Sequence, residues 1–429
     1  MSDKINVLIF PCGAENALEI YSALSTTVNV EVLGGSSRSD HGELIYRQYT
    51  EELPYINHPD FIRTLNRIIA EYSINIIFPT HDDIMLFLSE KAHLVRAKIA
   101  TPGLMQATIC RSKMRTYSLF KDCSFCPAVY SKLDDISAYP AFAKPDRGQG
   151  GKGATQVNSR SEAEIYLSNK NFVVTEFLPG DELTVDCFTD RRGQLLFCGP
   201  RTRERVFGGI SVRSSRIHLS IEIEEIAVEI NRRLKMRGLW YFQLKMNSES
   251  RLKLLEISAR AAGSMNVYRA LGVNFPLLTV YDLMDMDVSI QFNDIDITVD
   301  RALFNRYKSN IEFDTIYIDF DDTITLRGSA NPFVLMFLYR MKDLGKKIIV
   351  LSRHKHDIHN TLQSLRIHPD IFDDICILED DEEKSAFIVK DVKSVFIDNA
   401  YKERRIVKET IGIPVFDVDA ITVLMDWKF

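Results

Sequence analysis

The sequence predicts an α/β chain with an α+β middle portion, and three observations carry that prediction. Apolar strands alternate with amphipathic helices over Asn6 to Pro79, the pattern of a parallel sheet joined by crossover helices. The same alternation returns over Thr315 to Ile397, where successive strands end on polar or charged residues. Between these stretches lie strands joined by short turns, including glycine turns at Gly148 to Gly153 and at Gly208 and Gly209, as in antiparallel sheets.

At 429 residues the chain has room for two or three domains, each with its own core. With 45% apolar and 26% charged residues, the composition is that of an ordinary soluble protein. The longest apolar candidate, Phe333 to Tyr339, falls far short of the roughly 20 residues of a membrane span, so no membrane partner is expected. The opening MSDKINVLIF enters a strand without a signal-peptide pattern, and a cytoplasmic location is the expectation. A net charge of −6, with no basic run and no aromatic-basic interleaving, argues against nucleic acid as a partner. Of seven cysteines only Cys123 and Cys126 form a C-x-x-C, and without a second pair or nearby histidines they read as packed thiols.

In chain order, Asn6 to Phe10 is a buried strand and Ala14 to Leu24 a helix with Ala17, Leu18, Tyr21 and Leu24 on one face. Val30 to Leu33, helix Asp60 to Tyr72 and strand Ile74 to Pro79 follow. Ligands in parallel sheets sit off the carboxyl ends of strands, which points to loops Gly34 to Asp40 and Thr80 to Asp83 as walls of a small-molecule pocket. The helix Ser112 to Lys121 carries Lys113 near its start. Next comes Tyr139 to Val157, in which an apolar strand delivers Lys144 and a loop carries Gly148, Gly150, Gly151 and Gly153. Glycines without Cβ atoms let main-chain N–H groups close on phosphates. A dinucleotide fingerprint should open a helix, whereas Ala154 to Val157 reads as extended, and a Walker loop fails because Ala154 follows the last glycine. A hairpin lid with its own upstream lysine remains.

Downstream, strand Phe172 to Phe177 carries Glu176, and Leu178 opens the turn before strand Glu182 to Phe188. Arg201, Arg203 and Arg205 precede the second glycine turn, and Arg201 to Ser215 is a third candidate wall for a polar, anionic ligand. Gln243 and Glu256 fall on the adjacent strands Leu239 to Met246 and Leu252 to Ile257, where an antiparallel pair sets them side by side, suited to Mg²⁺ shared with phosphates. Arg260, just past the strand end, can pair with the same phosphates.

These pieces in this order resemble the ATP-grasp family, especially members similar to the large chain of carbamoyl-phosphate synthase, over roughly residues 1 to 300. The resemblance implies a Rossmann-like pre-ATP-grasp domain at 1–108 and an ATP-grasp domain at 109–300, with ATP and Mg²⁺ as cofactors. It implies that Lys113 and Lys144 contact nucleotide phosphates beneath the loop of Gly148, Gly150, Gly151 and Gly153. The main chain around Glu176, Phe177 and Leu178 would read adenine, and Glu182 would take the ribose hydroxyls. Gln243 and Glu256 would bind Mg²⁺, with Arg260 steadying the transferred phosphoryl. The family usually reads E-x-N at the last strand; here the run is Glu256-Ile257-Ser258, and serine is a shorter, weaker ligand for a second Mg²⁺. The chemistry implied is two-step: a carboxylate attacks the γ-phosphate to give an acyl phosphate, and an amine then displaces phosphate.

Asn293 to Ile311 lacks periodicity and reads as a joint. Beyond it, strand Thr315 to Asp319 ends in Asp319-Phe320-Asp321-Asp322-Thr323, and three packed carboxylates call for a cation such as Mg²⁺. Ser352 ends the next strand, Lys384 sits on a short helix and Asp398-Asn399 end another strand. This series is similar to the haloacid dehalogenase superfamily of phosphotransferases, over about residues 312 to 429. The resemblance implies a Rossmannoid domain in which Asp319 is the nucleophile, Asp321 the acid and base, and Ser352 and Lys384 the phosphoryl holders. Asp398, with Asp319 and Asp321, would complete the Mg²⁺ shell; Asn399, where relatives often carry an acid, would weaken it. With 33 positions from Asp319 to Ser352 and 32 from Ser352 to Lys384, no large cap fits. His354, His356 and His359 do not share one helical face and read as a solvated helix start.

The leading expectation is a bifunctional enzyme, an ATP-dependent carboxylate-amine ligase fused to a Mg²⁺-dependent phosphatase, with small-molecule carboxylate, amine or phosphorylated substrates. A kinase paired with the phosphatase, or one module kept only for binding, stays open. The sequence is compatible with a homo-oligomer and fixes no quaternary state.

Overall fold

In the computed structural model, which describes residues 4–148 and 150–428, the chain divides into two compact units, Met1–Leu303 and Phe304–Phe429. Residues 1–108 and 109–300, expected as two domains, fall within the first unit. The joint expected over 293–311 straddles the division.

The first layer consists of β1 (Ile5–Phe10), α1 (Glu15–Leu24), β2 (Val30–Gly35), β3 (Gln48–Thr50), α2 (Phe61–Glu71), β4 (Ile76–Pro79), α3 (Asp82–Glu90) and β5 (Lys98–Ile99). Its strands pair in the order β3-β2-β1-β4-β5, all parallel. Chain order makes the geometry functional: β1 leads to β2 on one side and β4 to β5 on the other, so a crevice opens where these connections part. The helices form because their apolar residues recur at helical spacing; α2 buries Phe61, Leu65, Ile68 and Ile69.

Next come α4 (Leu104–Cys110), α5 (Lys113–Phe120), β6 (Val129–Tyr130), β7 (Ala141–Pro145), β8 (Thr155–Val157), α6 (Arg160–Leu167) and β9 (Phe172–Glu176). Ser112 caps α5 by accepting from Arg115 N–H, as its position before the apolar run suggests. β7 and β8 are an antiparallel hairpin within the sheet β6-β9-β7-β8, so the glycine loop is a hairpin turn and opens no helix. Gln149 in that loop lies outside the described residues.

The sheet with the longest strands of this unit, β11-β10-β14-β15, is antiparallel and uses β10 (Glu182–Thr189), β11 (Leu195–Thr202), β14 (Gly238–Met246) and β15 (Leu252–Ser258). Between β11 and β14 in sequence lie β12 (Arg205–Phe207), β13 (Ile210–Ser215) and α7 (Ile221–Leu234). The face of α7 carrying Ile223, Ile226, Ile230 and Leu234 packs in one core with Val185, Phe242 and Leu244 of the sheet. Each such side chain contributes about 1.5–3 kcal/mol by leaving water. Cys126 belongs to the same core, a packed thiol. After α8 (Asn266–Ala270) and α9 (Phe275–Leu283), β16 (Thr298–Asp300) pairs with β13, so the expected joint supplies a strand to the first unit.

The second unit runs β17 (Thr315–Ile318), β18 (Thr325–Leu326), β19 (Ser329–Ala330), α10 (Pro332–Asp343), β20 (Lys347–Ser352), α11 (Ile358–Ser364), β21 (Asp374–Ile377), β22 (Ser394–Ile397), α12 (Tyr401–Thr410) and β23 (Val415–Phe416). Its parallel sheet has the order β21-β20-β17-β22-β23, with every residue of the central β17 buried. Asn331 caps α10 through Phe333 and Val334 N–H, with Pro332 at the first helical position. Among the described residues, the only strands between Asp319 and Ser352 other than β20 itself are the two of the short hairpin β18-β19, which leaves no large cap. No helix in the chain is long and apolar enough to cross a membrane among the described residues.

Candidate active sites

In the first unit, the β7-β8 hairpin, the end of β9 and the strands β10, β14 and β15 surround a cavity of about 440 Å³. Lys113, Lys144, Gly148, Gly150, Gly151, Glu176, Phe177, Leu178, Glu182, Gln243 and Glu256 all line it, so residues spread over 143 positions converge. Gly153 does not; at φ +74° it turns the chain back beside Pro145.

Lys144 is buried, with Nζ 2.5 Å from the Tyr117 hydroxyl and 5.0 Å from the centre of its ring. Burial, with the neighbouring charge of Lys113, pulls its pKa down to about 7, partly opposed by Glu256 and Glu182. Lys113 reaches the carbonyl of Gly148 at 3.5 Å. The carboxylate of Asp146 accepts from Ser112 Oγ and from Met114 N–H, each at 2.8 Å, which ties the lid base to the start of α5. Glu176 spends its side chain on Ala128 N–H at 2.8 Å.

Gln243 stands directly opposite Glu256, as the strand pairing predicts, and Thr184 opposite Gln243 on the other side. With its amide oxygen toward the guanidinium, Gln243 accepts from Arg203 Nη1 at 3.1 Å and donates to Glu256 Oε1 at 3.2 Å. Arg203 also pairs with Glu182 at 2.7 Å and donates to the carbonyl of Gly209 at 3.0 Å. It is thus the hub of the site, although in the sequence it is one of three alternating arginines with nothing to single it out. The irregular register beside Gln243 leaves the Leu255 carbonyl to accept from Tyr117 Oη at 2.6 Å. The hard carboxylate oxygens of Glu256 suit Mg²⁺, which takes further ligands from phosphates and water, and the Gln243 amide oxygen would join them on turning from Arg203. Among the described residues no group of three or more His, Cys, Asp or Glu is placed to hold a metal ion.

A second cavity, of about 580 Å³, shares Gly148, Gly150, Lys152, Arg203, Gln243 and Glu256 with the first. Thr80, His81 and Asp83 line it as expected, as do Arg201, Arg203, Ile210 and Ser211. The loop at 34–40 does not. Gly34 and Gly35 lie in β2 against Tyr46, Leu8 and Leu53, and the Asp40 carboxylate turns back to Ser36 Oγ at 2.6 Å and Gly42 N–H at 2.8 Å. The start of α1, Ala14 to Asn16, takes that place. Arg260 lines this second cavity, held by Asp82 through Nε at 2.7 Å and over the ring of Tyr241. Ser258 Oγ turns to the same Asp82 at 3.4 Å and lines neither cavity. Asp82 lies 178 positions from Arg260, a partner that no local pattern reveals.

In the second unit, Lys384 Nζ bridges Asp319 Oδ1 at 2.5 Å and Asp398 Oδ2 at 2.7 Å, all three groups buried. Burial, and the facing Asp398, raise the Asp319 pKa to about 6 against the pull of Lys384, and burial raises Asp398 as well. The expected packing of three carboxylates does not occur. Asp322 is exposed at φ +56°, and Asp321 faces His354 Nδ1 at 2.9 Å with Ser352 Oγ at 3.5 Å. The His354 side chain is only 8% exposed, and its Nε2 lies 2.8 Å from Thr361 Oγ1, so one of the three histidines is a buried partner, whereas His356 and His359 are exposed. Asn399 is tied to Thr323, whose hydroxyl accepts from its N–H at 3.1 Å.

Residues 168–301 match a family model described as ATP-grasp in the biosynthetic pathway with Ter operon. A formate-dependent phosphoribosylglycinamide formyltransferase from Bacteroides fragilis is 27% identical over 136 residues, covering 28% of this chain. That match spans 35% of the relative, so the chain corresponds to about a third of its length. Among solved structures, a biotin carboxylase from Campylobacter jejuni, bound to an ATP analogue, superposes with a TM-score of 0.54 at 13% identity, over 67% of this chain and 72% of that one. An N5-carboxyaminoimidazole synthetase from Staphylococcus aureus with ADP gives 0.54 at 12% identity over 68% and 81%. An L-amino acid ligase from Bacillus licheniformis gives 0.50 at 17% over 66% and 75%. Residues 168–301 are thus similar to ATP-grasp proteins, and the superpositions show a mixed α/β fold shared with these neighbours over about two thirds of the chain.

Proposed function

We propose that the first unit is an ATP-dependent carboxylate-amine ligase that works through an acyl phosphate. The observation that carries it is the wall shared by the two cavities: Arg203, Gln243, Glu256 and the glycine loop face both, so a nucleotide's terminal phosphate and a second substrate meet there. In this reading the main chain of Phe177 and Leu178 borders adenine, Glu182 takes the ribose and Lys113 and Lys144 hold phosphate oxygens. Mg²⁺, held by Glu256 and Gln243, supplies charge neutralisation when bound. Arg203 and Arg260 orient the acid's carboxylate, whose oxygen bonds to the γ-phosphorus as the bond to ADP breaks; an amine then attacks the acyl carbon, and phosphate leaves with a proton lost from nitrogen. The main chain of the lid excludes water from the acyl phosphate. The test is ADP and phosphate release over a panel of acids and amines: release that requires both partners supports ligation, and phosphate retained on the product supports a kinase instead.

For the second unit we propose Mg²⁺-dependent phosphate-ester hydrolysis. The carrying observation is Lys384 between Asp319 and Asp398 at the ends of adjacent strands. Asp319 would attack phosphorus, Asp321 would protonate the leaving group and then take a proton from water, and Ser352 and Lys384 would hold phosphoryl oxygens. Hydrolysis of p-nitrophenyl phosphate, abolished in Asp319→Asn, tests it; equal rates in both proteins refute it.

A further inference from the structure

In the second unit, the charged groups that the proposed hydrolysis uses are held unequally. Lys384 and the carboxylates of Asp319 and Asp398 are bonded to one another, with side-chain exposures of 4%, 8% and 1%. Asp321 stands apart at 50%, on the irregular turn between β17 and β18, next to Asp322 with its positive φ. Ser352 Oγ, at 3.5 Å, lies beyond the usual reach of an O–H···O bond and does not fix the rotation of that carboxylate.

His354 supplies what the turn lacks. Its Nδ1 lies 2.9 and 3.0 Å from the two carboxylate oxygens of Asp321, straddling both. The ring has little freedom of its own: it meets the buried Phe320 edge to face at 5.1 Å, and its Nε2 lies 2.8 Å from Thr361 Oγ1. Thr361 in turn donates to the Asp357 carbonyl at 3.1 Å, and Asp357 caps α11 by accepting from His359 and Asn360 N–H. A chain of fixed contacts therefore runs from α11 through the imidazole to the one half-exposed carboxylate of the site. Supporting contacts of this kind set how precisely a reacting side chain is aimed.

We propose that His354 is a positioning residue for phosphate-ester hydrolysis, holding Asp321 turned toward the leaving group. In the first step an Asp319 oxygen bonds to phosphorus as the ester P–O bond breaks, and the departing oxygen takes the proton of Asp321. A carboxyl free to swing delivers that proton in only a fraction of encounters. This role rests on the phosphatase reading of the unit, and adds that its acid acts through a side chain 33 positions away.

Kinetics of the full chain with Mg²⁺ on two aryl phosphates test it. The leaving group of phenyl phosphate needs a proton, and that of 2,4-dinitrophenyl phosphate does not. His354→Phe keeps a ring against Phe320. Its kcat/KM for phenyl phosphate is expected to fall about tenfold or more, and that for the dinitrophenyl ester less than threefold. His354→Asn places an amide where Nδ1 stood and is expected to restore phenyl phosphate hydrolysis to within about threefold of the parent protein. His354→Gln places its amide near Nε2 instead and is expected to stay as low as the phenylalanine variant. In Asp321→Asn, which lacks the acid, adding His354→Phe is expected to cost less than about twofold more. A side chain that only packs against α11 gives the opposite order, with glutamine restoring and asparagine not. That order, equal losses on both esters, a loss below threefold on phenyl phosphate, or an undiminished loss in the Asp321→Asn background overturns the proposal and leaves the phosphatase reading standing. A parent protein that hydrolyses neither ester refutes that reading, and the proposal with it.

Discussion

Lys144 sits at the junction of burial and charge. A buried ammonium loses hydration, and a second cation at Lys113 adds repulsion, so its pKa lies near 7 in the folded chain against 10.5 for a free lysine. Between these values the unfolded chain binds more protons, so stability rises with pH across that window, and the penalty is complete below about pH 7. Lys144→Met is therefore expected to raise Tm by about 3 °C or more at pH 6.5, with the gain shrinking toward pH 10, as scanning calorimetry would show. The same variant should lose ATP-dependent turnover. Nucleotide phosphates restore the ammonium form, so the parent protein is expected to take up a proton on binding ATP at pH 8, seen as a buffer-dependent binding enthalpy that Lys144→Met lacks. Arg203→Gln breaks contacts with Glu182, Gln243 and Gly209 together, and a fall in kcat of about 10²-fold or more is expected, in the range for losing one charge-stabilising donor. A change below threefold would remove Arg203 from the hub.

Among the elements, the two glycine turns meet main chain to main chain. A Cβ added to Gly209 would come within 2.3 Å of Gly150 Cα, and both residues have positive φ, at 82° and 60°. Only residues without side chains allow this approach, and the contact joins the β7-β8 lid to the β12-β13 turn. Gly209→Ala should force the turns apart and raise the KM for ATP about tenfold, at a Tm lowered by no more than a few degrees, since both turns are peripheral to the cores. Steady-state kinetics with ATP varied reads this directly, and an unchanged KM would show that the lid closes without the second turn.

For the whole molecule, the two units have separate cores, and the proposed reading gives each its own phosphate chemistry. Asp319→Asn should abolish phosphate-ester hydrolysis while leaving ADP release within twofold, and Lys144→Met should do the opposite. Removing Mg²⁺ with EDTA is expected to stop both reactions, and adding it back to restore them. Loss of both activities in either single variant would mean that the units act as one catalytic system.

Much of this architecture was legible in the sequence because strand and helix periodicity, glycine turns and strand-end polar residues are local signals. They located the hairpin lid, the antiparallel register of Gln243 and Glu256, the capped α10 and both parallel sheets to within a few residues. Long-range partners were not legible. Asp82 holds Arg260 and Ser258 across more than 170 positions, Arg203 gathers two strands and a turn, and His354 turns inward to Asp321 although His356 and His359 face water. The loop at 34–40 misled for the same reason: a polar turn after a strand is a local feature, but which turn lines a cavity depends on what packs beneath it. Local propensity fixes where an element begins and ends; only the packed fold decides which of its side chains share a wall, because burial and charge pairing act through space rather than along the chain.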